Sequence, residues 1–195
     1  MNLNHLGDAF DFWKGGILEP LNCNLNNLHV LPMFTDENVP CTWTEDHLQH
    51  YAQLLRIHDI ERILKKEVPF NRTGRGDYFQ DVNGELDLFI DPDIGIEPQS
   101  GGDVKHIKLE ELAMLLRKNP QRVLLVYQHS NPKKDWLEDV LVRVRDSRPL
   151  NGCECFAYQA GRVAMIFISS RANERLSAIW QALSISLPGN RLVSP

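Results

Sequence analysis

Apolar residues at three-to-four spacing, Leu6, Phe10, Trp13 and Ile17, predict a first helix over residues 5–19. Gly15 and Gly16 weaken it and Pro20 ends it. The run LHVLPMF at 28–34 predicts a first strand, shortened or held at a sheet edge by Pro32, leading into the polar cluster Thr35, Asp36, Glu37 and Asn38. Thr42-x-x-Glu45 reads as a capping box that opens a long helix to about Lys66. Its apolar face carries Leu48, Tyr51, Leu55, Ile60 and Ile63. Residues 68–85, rich in glycine and polar side chains, predict a long loop. A second strand follows at Leu86–Ile90, a helix at Leu109–Lys118 and a third strand at Arg122–Gln128. The near-continuous apolar run VLLVY in that strand suits a sheet covered on both faces. Asn131-Pro132 supplies an N-cap and first-turn proline for a helix that carries Trp136, Leu137, Val140, Leu141 and Val144 inward. CECFAYQ and VAMIFISS flank Ala160-Gly161 as a β-hairpin. A last helix spans roughly 171–185, and 186–195 reads as a polar tail.

Strands alternating with helices predict an α/β protein: a three-layer sandwich with a mainly parallel sheet, helices on both faces and a C-terminal antiparallel hairpin. A chain of 195 residues with 43% hydrophobic content suits a single domain, 1–195. The net charge of -5 argues against nucleic-acid binding through overall charge and leaves room only for a local basic patch. No stretch approaches the ~20 apolar residues of a membrane span. The N-terminus lacks the basic region and apolar core of a signal peptide, so a cytoplasmic location without membrane association is expected. Cys23, Cys41, Cys153 and Cys155 have neither disulfide nor zinc-finger spacing. Cys153 and Cys155, two apart on a strand, face the same way and read as reduced thiols. His47 and His50 lie three apart on a helix without an obvious third ligand, and with His58 they read as solvent-facing.

The chemistry gathers between Leu86 and His129. Ligands of parallel α/β sheets sit at the carboxyl ends of strands, and two apolar runs here end in polar groups that a packed sheet does not need. The first ends in Asp91-Pro92-Asp93, two acids held apart by a rigid residue. Such a pair binds a divalent metal, activates water or accepts from a substrate amino group; its structural alternative is that Asp91 caps the turn. The second ends in Tyr127, Gln128, His129, Ser130 and Asn131. His129 there either donates to developing negative charge and shuttles a proton, or fastens the loop before the next helix. Asp36, at the first strand's end, completes a three-strand constellation with Asp91 and His129, and Trp13 and Lys14 lie on a helix that can approach it. Arg72 and Arg75 sit among glycines in the long loop, which reads either as a mobile lid or backbone-phosphate contact or as an ordinary surface excursion.

Several motifs are absent. There is no G-x-x-x-x-G-K loop, no G-x-G-x-x-G after the first strand, no G-x-S-x-G elbow and no zinc-deaminase signature.

The segment VLLVYQHSNP resembles the histidine motif of the uracil-DNA-glycosylase superfamily, in which an apolar strand delivers a histidine to a proline-containing loop. The resemblance implies that His129 stabilises a departing base, that Asp36 or Asp91 positions water or supports an oxocarbenium-like sugar, and that Tyr127 and Gln128 read a flipped base. LFIDPDIG and the C-terminal hairpin resemble class I methyltransferases, but LPMFTDEN stands where that family has its glycine-rich cofactor loop.

The leading expectation is therefore a nucleic-acid-acting hydrolase, most specifically a DNA-glycosylase-like enzyme needing neither metal nor cofactor. Asp36, Asp91 and His129 are its catalytic candidates, and Asp93, Tyr127, Gln128, Asn131, Arg72, Arg75, Lys133 and Lys134 its substrate-binding ones. With Lys105, the basic members of that set predict a local DNA-binding patch. The alternatives are a metal-dependent nuclease or phosphoesterase on Asp91, Asp93 and Glu97, a methyltransferase-like protein, and a non-enzymatic partner-binding protein.

Overall fold

The computed structural model describes residues 5–22, 24–25, 27–33, 44–64, 75–80, 82, 85–171 and 173–195. In chain order the helices are α1 (Ala9–Leu18), α2 (Glu45–Leu54), the single turn α3 (Arg75–Tyr78), α4 (Leu109–Lys118), α5 (Trp136–Asp146) and α6 (Arg175–Ser186). The strands are β1 (His29–Pro32), β2 (Leu88–Asp91), β3 (Gly95–Ile96), β4 (His106–Ile107), β5 (Val123–His129), β6 (Cys153–Ala160), β7 (Val163–Ser170) and β8 (Leu192–Val193).

One sheet has the order β1-β2-β5-β7-β6-β8. Its first three strands are parallel, and β7, β6 and β8 continue it antiparallel. The expected hairpin thus joins the parallel half through its second strand, pairing from Val123↔Ser169 to His129↔Val163. β3 and β4 form a small parallel pair of their own.

Side-chain alternation divides the core into two layers. Val30, Phe89, Leu125, Tyr127 and Phe167 face α1, α2 and α6, while Leu31, Ile90, Leu124, Val126 and Ile168 face α4 and α5. The α/β sandwich is therefore as expected. Cys155 and Cys153 do face one way, toward the second layer. Among the described residues no helix is long and apolar enough to cross a membrane.

Four stretches differ from their sequence pattern, the first being the expected loop 68–85, in which Arg75–Tyr78 form the helical turn α3 with Arg75 and Tyr78 buried. The helix expected to reach Lys66 stops at Leu54: Arg56 turns left-handed at φ 57°, and Ile57 N–H donates to Ala52 O at 2.9 Å. This is a Schellman closure with arginine where glycine usually signals it, so the pattern gave no stop. Its N-cap is Thr44, reciprocated by His47, while Thr42 lies outside the described residues. The helix after β5 starts at Trp136, because Asn131 Oδ1 accepts from Lys133 N–H at 2.9 Å and builds a turn first. The expected polar tail contains β8, paired with Ala157 and Tyr158.

Candidate active site

β2 places Asp91 at the carboxyl end of the parallel strands, on the α1/α2 side of the sheet, two residues beyond Phe89. The side chain is 1% exposed. Its Oδ2 accepts from Lys14 Nζ at 2.8 Å and from Tyr51 O–H at 2.5 Å. Lys14 Nζ also donates to Asp11 Oδ1 at 2.9 Å, and Asp11 Oδ2 accepts from Gly7 N–H at 2.9 Å.

This network follows from α1. Asp8 caps its N-terminus by accepting from Phe10 N–H at 2.8 Å. Asp11 and Lys14, three apart, share a face. Gly15 then lets α1 lie directly on α2, since a Cβ there would stand 2.0 Å from Leu54 O. That contact brings Lys14 and Tyr51 to the same carboxylate.

Burial pulls the Lys14 pKa down, but Asp91 and Asp11 together outweigh it and hold the ammonium above its ordinary range. Burial, then the neighbouring Asp91 charge, push the Tyr51 phenol well up, so it stays a neutral donor. One cation thus stands between two buried carboxylates.

On β5, Tyr127 and His129 point to the same side as Asp91. The Lys14 ammonium lies 4.3 Å from the Tyr127 ring centroid. The Tyr127 hydroxyl is buried with no hydrogen-bond partner among the described residues, and burial raises its pKa. His129 packs edge-on against Tyr127 (4.9 Å) and Phe10 (5.3 Å). Burial and then Lys14 lower its pKa below 6.5, so the ring is neutral at pH 7. Its main-chain N–H is fixed on Ile94 O at 2.7 Å.

These groups enclose a pocket of about 280 Å³, bounded by the start of α1, the Asp91–Ile94 turn and the end of β5, with Lys105 at the rim. It is slightly smaller than most ligand sites (roughly 300–1,000 Å³).

Of the residues expected from sequence, the pocket collects Asp91, Asp93, Tyr127, His129 and Lys105. Asp36 and Arg72 lie outside the described residues. Gln128 is on the opposite face, 4% exposed, accepting from Ile96 N–H at 2.7 Å and donating to His129 O at 2.8 Å. It fastens β3 to β5 and is not positioned to read a base. The fit needs Gly95, at φ +137°, whose added Cβ would meet the Gln128 amide at 2.3 Å. Arg75 is likewise committed, its guanidinium forked on Glu111 with a further donation to His106 O at 2.6 Å. Asn131 and Lys133 line a separate depression along α5, where Lys133 pairs with Asp139 at 3.2 Å, and Lys134 is exposed outside the pocket. The basic residues therefore do not converge on the site. Glu97 Oε1 accepts from Leu109 N–H at 3.1 Å at the start of α4, and no three His, Cys, Asp or Glu side chains gather as a metal set among the described residues.

Asp8, Asp11, Phe10 and Tyr51 were not singled out by sequence reasoning. The available signal was Asp11-x-x-Lys14, a charged pair interleaved with the apolar stripe of α1.

Compared with protein-family models, curated proteins and solved structures, the chain finds no significant match.

Proposed function

We propose that the pocket is the active site of a hydrolase cleaving the N-glycosidic bond between a base and its sugar, carried by a nucleoside or by a nucleotide turned out of DNA. The observation that carries this reading is the pairing of the buried Asp91 carboxylate with neutral His129 across a pocket small enough for one base. Cleavage of such a bond develops positive charge on the sugar, and a preorganised carboxylate stabilises it. Asp91 takes that role, oriented by Lys14 and Tyr51. Neutral His129 has one N–H to donate to the base and one lone pair to accept a proton from water. Phe10 and Tyr127 give the base apolar contact. In the DNA form, Lys105 at the rim is the cation nearest an incoming phosphate.

The test is mass spectrometry of products after incubation with nucleosides and with plain, uracil-containing and modified DNA, in the presence of a chelator. Release of free base, lost in Asp91→Asn and His129→Ala, is expected. Nucleotide fragments that vanish with chelator, or intact substrates throughout, would sink the proposal.

A further inference from the structure

We infer that the base accepted by this pocket carries a formal positive charge, as in a ring-alkylated purine or a pyridinium joined to its sugar through nitrogen. This rests on the N-glycosidic reading above and names its substrate class.

Three observations carry it. The first is charge: Lys14 is shared between Asp11 and Asp91, so the buried triad keeps one net negative charge, and Asp8 adds another on the same wall. The exposed Lys105 is at the rim, where solvent screens it. The second is the aromatic lining. Phe10, 39% exposed, borders the cavity, and an aromatic ring beside carboxylates favours a cation over a neutral ring of the same shape. The third is the leaving group. A neutral base departs with the C–N electron pair as an anion that must be protonated or stabilised by a hydrogen bond. A cationic base departs neutral and needs neither.

The balance is simple. The bond between the sugar's anomeric carbon and the base nitrogen breaks, its electron pair stays on nitrogen, and the cationic base leaves neutral. Water oxygen bonds to the anomeric carbon, and the proton released passes to His129 and then to solvent. Nothing is oxidised or reduced.

The experiment compares 7-methylguanosine with guanosine as substrates, each rate expressed against its own uncatalysed hydrolysis, and 1-methylnicotinamide with nicotinamide as ligands in calorimetry. The expected result is an enhancement at least about tenfold greater for the cationic nucleoside. Tighter binding of the cationic ligand should accompany it, with both preferences reduced in Asp8→Asn. Equal or greater enhancement for guanosine overturns the inference and leaves the glycosidic reading standing. Preferential binding without hydrolysis of either nucleoside removes the glycosidic reading and keeps the charge selection. Neither hydrolysis nor preference removes both.

Discussion

Lys14 on α1 donates to Asp91 at the end of β2 over 2.8 Å, across 77 residues of chain, and the two side chains are 6% and 1% exposed. Removing one partner of such a pair strands the other charge where water cannot reach it. Lys14→Met should therefore lower unfolding stability by about 3–5 kcal/mol. Adding Asp91→Asn should restore part of that loss, because the second change removes one of the charges left unpaired. Urea denaturation of the two single variants and the double variant measures the coupling. Additive losses would mean that the pair does not act as a unit.

Gly15 and Gly16 are neighbours in sequence with opposite expectations. A Cβ at Gly15 meets the Leu54 carbonyl at 2.0 Å, whereas one at Gly16 meets nothing within 4 Å. Gly16→Ala should stabilise the protein by about 0.5–1 kcal/mol through helix propensity alone. Gly15→Ala must push α1 off α2, drawing Lys14 away from Asp91, and should lose both stability and base release. Thermal melts of the two variants decide this. Equal behaviour would mean that close approach of the two helices does not hold the site together.

Lys14 and Tyr51 together set an alkaline limit. The folded Lys14 pKa lies above 10.5 and the folded Tyr51 pKa well above 10.0. Between the unfolded and folded values the unfolded chain has released protons that the native protein keeps, so stability falls as pH rises. The contribution is fully present below about pH 10 and is lost progressively above it. Denaturation midpoints from pH 9 upward should show this decline, and Tyr51→Phe should make it shallower. A stability flat through this range would show that neither proton is tied to folding.

The layers of the fold were legible because the periodicities were clean: VLLVY, the hairpin halves and LEELAMLLRK fall where their patterns place them. Half the site was legible for the same reason, since strand ends in parallel sheets gather ligands and Asp91, Tyr127 and His129 occupy two of them. Alternation along β5 also contains the correction at Gln128, which must point away from its neighbours Tyr127 and His129. The rest depended on tertiary contacts. Tyr51 has the spacing of a core residue, and its hydroxyl gains a role only because Gly15 lets α1 settle on α2. Arg75 sits in a glycine-rich stretch, yet Glu111, 36 residues away, withdraws it from any substrate.

His129 links the pocket's electrostatics to a measurable pH profile. Burial, reinforced by Lys14, holds its folded pKa below 6.5, so the native protein resists protonating it. Its neutral form is the one that accepts a proton from water, and base release should therefore be level above pH 6.5 and fall once the pH passes below the shifted pKa. Stability should follow the same direction, because the unfolded chain takes up this proton more readily than the native one. His129→Gln keeps a donor but cannot accept the proton. It should reduce kcat by about 10²–10⁴-fold and abolish the acid limb of the remaining activity, with little change in KM. A variant retaining the acid limb would assign that titration to one of the carboxylates instead.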